Sequence, residues 1–101
     1  MSIDLAPALL RQVQAILAEH VPECEVWAFG SRIGGPAKRF SDLDLAIVAE
    51  QEIPTRRLAL LANAFEESDL PFRVDLVDYH SANPTFKERI AQRRQVIFGR
   101  S

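Results

Sequence analysis

The stretch Gly30-Ser31-Arg32-Ile33-Gly34-Gly35-Pro36-Ala37-Lys38-Arg39-Phe40-Ser41-Asp42-Leu43-Asp44 decides the reading of this chain. It places a Gly-Ser turn ten residues ahead of a pair of carboxylates. Asp44 is followed by Leu45-Ala46-Ile47-Val48, a run of strand formers, and residues two apart on a strand point the same way. Asp42 and Asp44 are therefore expected to project from one strand face. Burial and like-charge proximity both disfavour ionised carboxylates, so such a pair calls for a cation between its members, and a divalent metal is the simplest one.

Upstream, Glu25-Val26-Trp27-Ala28-Phe29 is short, apolar and rich in strand formers, and it stops at Gly30. This first strand delivers the chain directly to Gly30-Ser31. Gly30 admits a close approach of backbone to phosphate, and Ser31 adds a hydroxyl and an amide at an expected helix start, where the dipole favours anions. Arg32, Lys38 and Arg39 lie between turn and carboxylates, and any of them could balance the charge of a triphosphate or of departing pyrophosphate.

Further out, Leu5, Leu9, Leu10, Val13, Ile16 and Leu17 recur at three- and four-residue spacing, which predicts an amphipathic helix from about Asp4 to His20, ended by Val21-Pro22. A short helical turn is expected after Ser31, then a loop from Gly34-Gly35-Pro36 to Phe40, then a second strand over Leu43 to Val48. Pro54 suits the first turn of a helix of about four turns carrying Leu58, Leu61, Ala62 and Phe65. Phe72 to Val77 reads as a third strand. Asn83-Pro84 opens a last helix with Phe86, Ile90 and Ile97 on its apolar side. The expected architecture is α/β, a small mixed sheet covered by helices, in the order α-β-α-β-α-β-α.

The third strand contains Asp75 among Val74, Leu76 and Val77, and a carboxylate in apolar surroundings again needs a partner. It is the natural third ligand beside Asp42 and Asp44. Three Asp could hold two magnesium ions, which favour oxygen ligands; such pairs lie ~3.5–4 Å apart and stabilise both oxygens of an in-line displacement. Asp78, three residues on, faces the opposite side and reads as a strand-end cap or surface charge. His20 and His80 read as solvated or dipole-paired residues, Trp27 and Phe29 as core, and Arg89, Arg93 and Arg94 as a solvated helix face or a partner surface.

With 101 residues the chain is expected to form one domain over 1–101, too short to carry a separate acceptor pocket. Its 48% hydrophobic and 26% charged residues are those of a folding globular chain. A net charge of -2 supplies no global basic field, so nucleic-acid binding is unsupported. Cys24 is the single cysteine, which excludes an internal disulfide and agrees with a reducing compartment. No basic leader or apolar run of roughly 20 residues is seen, and the expected location is cytoplasmic.

Taken together, GSRIGGPAKRFSDLD and the downstream RVDLVD resemble the minimal nucleotidyltransferases of the DNA polymerase β-like superfamily, whose signature is Gly-Ser, ten residues, Asp-x-Asp and a later Asp. The ending FKERIAQRRQVIFGR is also similar to theirs. The resemblance implies that Asp42, Asp44 and Asp75 bind two magnesium ions, that Asp75 activates the attacking hydroxyl, and that Gly30 and Ser31, with Arg32 beside them, hold the triphosphate of ATP. It further implies an antitoxin that transfers AMP to a tyrosine of a helical HEPN-type toxin encoded nearby, in a hetero-oligomer. Two other functions stay open: a noncatalytic subunit that neutralises its partner by binding, and a transferase to a small molecule or RNA end whose pocket a partner supplies.

Overall fold

The computed structural model describes residues 5–30 and 42–99. The expected short helix after Ser31 lies outside them. Helix α1 spans Pro7–His20 and starts later than its apolar spacing suggests, because Pro7 occupies the first turn and holds Ala6 in an extended conformation. Strand β1 spans Glu25–Phe29 and β2 Leu43–Val48, as expected. Helix α2 spans Thr55–Glu66. Pro54 is its N-cap rather than a member of the first turn, and twelve residues make it about three turns instead of four. Strand β3 spans Val74–Asp78 and leads into a 3₁₀ turn over Tyr79–Ser81. Helix α3 spans Pro84–Gln92 and β4 spans Arg94–Phe98.

That last strand corrects the sequence expectation. The final helix does not continue to Ile97; it closes after nine residues, and the chain reverses into β4 along the free edge of β1. Asn83 opens α3 with a side-chain cap, its Oδ1 accepting from Phe86 N at 2.8 Å.

The sheet order is β3-β2-β1-β4. β1 runs antiparallel to both β2 and β4, while β2 and β3 are parallel. Alternation along the strands feeds two cores. Val26, Ala28, Leu43, Leu45 and Ile47 pack with Val13 and Leu17 of α1 and Leu61 and Phe65 of α2. On the opposite face Trp27, Ala46 and Ile90 are buried, with Phe29, Val77, Tyr79 and Phe86 around them. Trp27 and Tyr79 meet edge-on at 4.8 Å, and Phe29 and Phe86 at 5.8 Å, which is the preferred aromatic geometry. Helices α1 and α2 thus cover one face and α3 the other. This leaves the end of the sheet where β1 finishes and β2 begins as the place where polar side chains gather.

Candidate active site

At that end, the register places Asp44 opposite Phe29 on β1 and opposite Asp75 on β3. Asp44 shares a face with Ala46, and Asp75 with Val77, so both carboxylates emerge on the α3 side. Asp42 lies one residue before β2, exposed, and two positions from Asp44. The three expected ligands are therefore brought to one corner, two of them in direct register.

Electrostatics record the crowding. Burial, then Asp75, then Asp42 push the Asp44 carboxyl above its ordinary value. Each cause penalises the charged form. Among the described residues, no group of three His, Cys, Asp or Glu side chains forms a ready metal cage: Asp42 stands ahead of the strand, and Asp75 Oδ1 lies 3.4 Å from Arg73 Nε. The donor chemistry nevertheless fits a hard divalent cation, since a partly desolvated carboxylate flanked by two like charges is what such an ion relieves.

Gly30 ends β1 with φ +84°, a conformation that L side chains rarely adopt. A Cβ built there would overlap Asp44 Oδ2 and lie 3.2 Å from its Cγ. Gly30 is thus fitted against the carboxylate by lacking a side chain. Ser31, Arg32, Lys38 and Arg39 lie outside the described residues.

Asp78 is the cap that its position in the sequence suggests. Its Oδ1 accepts from His80 N at 3.2 Å, and its Oδ2 accepts from Ile53 N at 3.0 Å and from Ser81 Oγ at 3.1 Å. His20 contributes its carbonyl to Arg57.

Two residues near the site escape a reading of the sequence. Arg73 pairs with Asp75; its only signal is the i, i+2 spacing ahead of a strand carboxylate. Arg94, expected on a helix, opens β4 opposite Phe29, and its guanidinium lies 4.2 Å from the centre of the Trp27 ring, a cation–π contact. That reading needed β4, which helical spacing concealed.

No described helix is long and apolar enough to cross a membrane. The profile of the family described as polymerase beta, nucleotidyltransferase, matches residues 11–101. A Haemophilus influenzae protein named "probable protein adenylyltransferase MntA" is 45% identical over 95 residues, covering 94% of this chain and 83% of that protein. Among solved structures, a toxin-antitoxin crystallised with AMP-PNP superposes with a TM-score of 0.76 at 26% identity, over 90% of this chain and 73% of the other. A tri-AMPylated Shewanella oneidensis HEPN toxin in complex with MNT antitoxin matches at TM-score 0.69 and 24% identity, over 90% and 70% of the respective chains, and bears on the fold alone. With nine-tenths of its length inside the matched profile and the carboxylate corner in place, the chain belongs to the polymerase β nucleotidyltransferase family.

Proposed function

We propose that this chain, acting as a single domain over residues 1–101, transfers AMP from ATP to a hydroxyl, that of a tyrosine on a HEPN-type helical partner, and so serves as the antitoxin of a toxin-antitoxin pair. The observation that carries the reading is the register of Asp44 with Asp75 beside Gly30, whose missing side chain leaves room for the Asp44 carboxylate. The 45% identity to a protein named as an adenylyltransferase supports the reaction type, and the toxin-antitoxin likeness supports the kind of partner.

In this reading Asp42, Asp44 and Asp75 hold two magnesium ions, which when bound offset triphosphate charge and stabilise the entering and leaving oxygens. Gly30, with Ser31 and Arg32 on the sequence argument, receives the β- and γ-phosphates. The acceptor oxygen attacks the α-phosphorus, the bond to the bridging oxygen of the β-phosphate breaks, pyrophosphate leaves, and Asp75 takes the hydroxyl proton. No tyrosine of the chain itself is needed. The acceptor comes from the partner in a hetero-oligomer, in the cytoplasm where ATP and magnesium are available.

The test is the intact mass of the HEPN-type partner after incubation with this chain, ATP and magnesium, against an Asp42→Asn control. A gain of one or more AMP units, absent with the variant, is expected. An unmodified partner that is still neutralised in a tight complex would overturn transfer in favour of inhibition by binding. Labelled product outside the protein fraction would point to a small molecule or RNA end instead.

A further inference from the structure

We propose that Arg73 is a positioning residue for Asp75, holding the carboxylate of the edge strand in place and offsetting part of its charge. The inference rests on the reading of Asp75 as a ligand and proton acceptor, and it assigns work to Arg73, which opens the RVDLVD stretch without being one of the signature Gly, Ser or Asp residues.

Arg73 is fixed to the sheet before its side chain is considered. Its carbonyl accepts from Leu43 N at 2.8 Å, which carries the β2–β3 ladder one step beyond the Leu43–Val74 pair. Arg73 and Asp75 are two residues apart on this extended backbone and so share a face. Nε lies 3.4 Å from Asp75 Oδ1.

β3 is an edge strand, so Asp75 has Asp44 on one flank and no strand on the other. Among the described residues, Arg73 is the ion-pair partner of Asp75. Gly30 stands on the far side of Asp44, at the end of β1. Arg73 precedes Asp75 on the same strand, so its guanidinium meets the carboxylate at the start of β3, where Leu43 N reaches the Arg73 carbonyl.

The competing explanation is a solvated ion pair. Arg73 is 78% exposed and Asp75 40%, and pairs of that kind add little to stability. That weakness sharpens the inference: removing Arg73 should leave the fold intact and change the carboxylate corner alone. One cation fewer makes the corner more negative, so a divalent ion should bind more tightly, while a carboxylate no longer held by the guanidinium is less well placed for an acceptor hydroxyl, so turnover should fall. Opposite effects on binding and turnover are what a merely structural role does not produce.

The experiment compares wild type, Arg73→Ala and Arg73→Lys. Mn²⁺ affinity is measured on the purified chain by electron paramagnetic resonance, and AMP transfer to the partner gives kcat and KM for ATP. For Arg73→Ala we expect Mn²⁺ to bind roughly threefold tighter, kcat to fall roughly tenfold, and KM for ATP and the thermal midpoint to hold. Arg73→Lys should restore wild-type Mn²⁺ affinity but only part of kcat, because an ammonium keeps the charge without the planar fork. Unchanged Mn²⁺ affinity and kcat in Arg73→Ala would overturn the proposal, as would a parallel loss of both with a lowered midpoint. Should wild type transfer nothing, the functional reading fails, and Mn²⁺ affinity decides Arg73 by itself: no tightening in Arg73→Ala overturns it.

Discussion

Gly30 and Asp44 are fitted to each other so closely that a methyl group on Gly30 would overlap Asp44 Oδ2. The φ of +84° at Gly30 adds a conformational demand to the steric one. Gly30→Ala should therefore displace the carboxylate or the turn. We expect a loss of about 1–3 kcal/mol in stability and a fall in transfer of at least roughly a hundredfold. Urea denaturation and the mass assay read the two effects separately. A Gly30→Ala variant with wild-type transfer would refute the close fit.

Asp44→Asn removes the charge that burial, Asp75 and Asp42 oppose. Its folded pKa lies above the unfolded one, so the folded state binds the proton more readily and stability falls as pH rises from the ordinary carboxylate value through the raised one. Asp44→Asn should thus abolish transfer yet raise the denaturation midpoint at pH 7 in EDTA. The gain should shrink as pH drops below about 4, where Asp44 is protonated in both states. A destabilised variant at neutral pH would contradict this account.

Arg57 ties the end of α1 to α2. Its guanidinium donates to the His20 carbonyl at 3.1 Å and pairs with Glu23 at 2.5 Å, placing a cation at a helix C-terminus. The hydrogen bond from Arg57 leads in lowering the Glu23 carboxyl to about 2. With the folded value depressed, this contribution is present above the unfolded pKa and disappears as pH falls from about 4.5 toward 2. Both side chains are substantially exposed, at 35% and 58%, so screening keeps the effect small. Arg57→Ala should cost about 1 kcal/mol at pH 7 and less at pH 3, as thermal denaturation at the two values would reveal.

Ile97 tests the terminal strand. It is buried at 6% exposure in the core under α1, and its carbonyl accepts from Gln14 Nε2 at 2.8 Å. Ile97→Ala should cost about 2–4 kcal/mol. A cost below 1 kcal/mol would place Ile97 outside the core.

β1 and β2 were legible in the sequence to the residue, because runs of β-branched and aromatic residues bounded by turn residues carry their own signal. The meeting of Gly30, Asp42 and Asp44 was legible for the same reason: their spacing around a strand start fixes which of them can come together, whatever role they serve. β4 was not. Phe86, Ile90 and Ile97 stand at helical spacing, and the pairing shifts between Val26 and Trp27, from Phe98 to Val96, leaving Ile97 as an extra residue. Ile97 and Phe98 then both face the α1 side while Val96 faces α3, which breaks the two-residue alternation that would have marked a strand.

Local chemistry by itself determined the elements flanking Gly30 and Asp44, since propensity and periodicity act over a few residues. Only the tertiary structure decided that Asp44 and Asp75 stand in register, that β4 closes the sheet beside β1, and that Arg73 meets Asp75. Those relationships depend on which strands pair, and pairing is settled by where two opposed apolar faces can be buried at once.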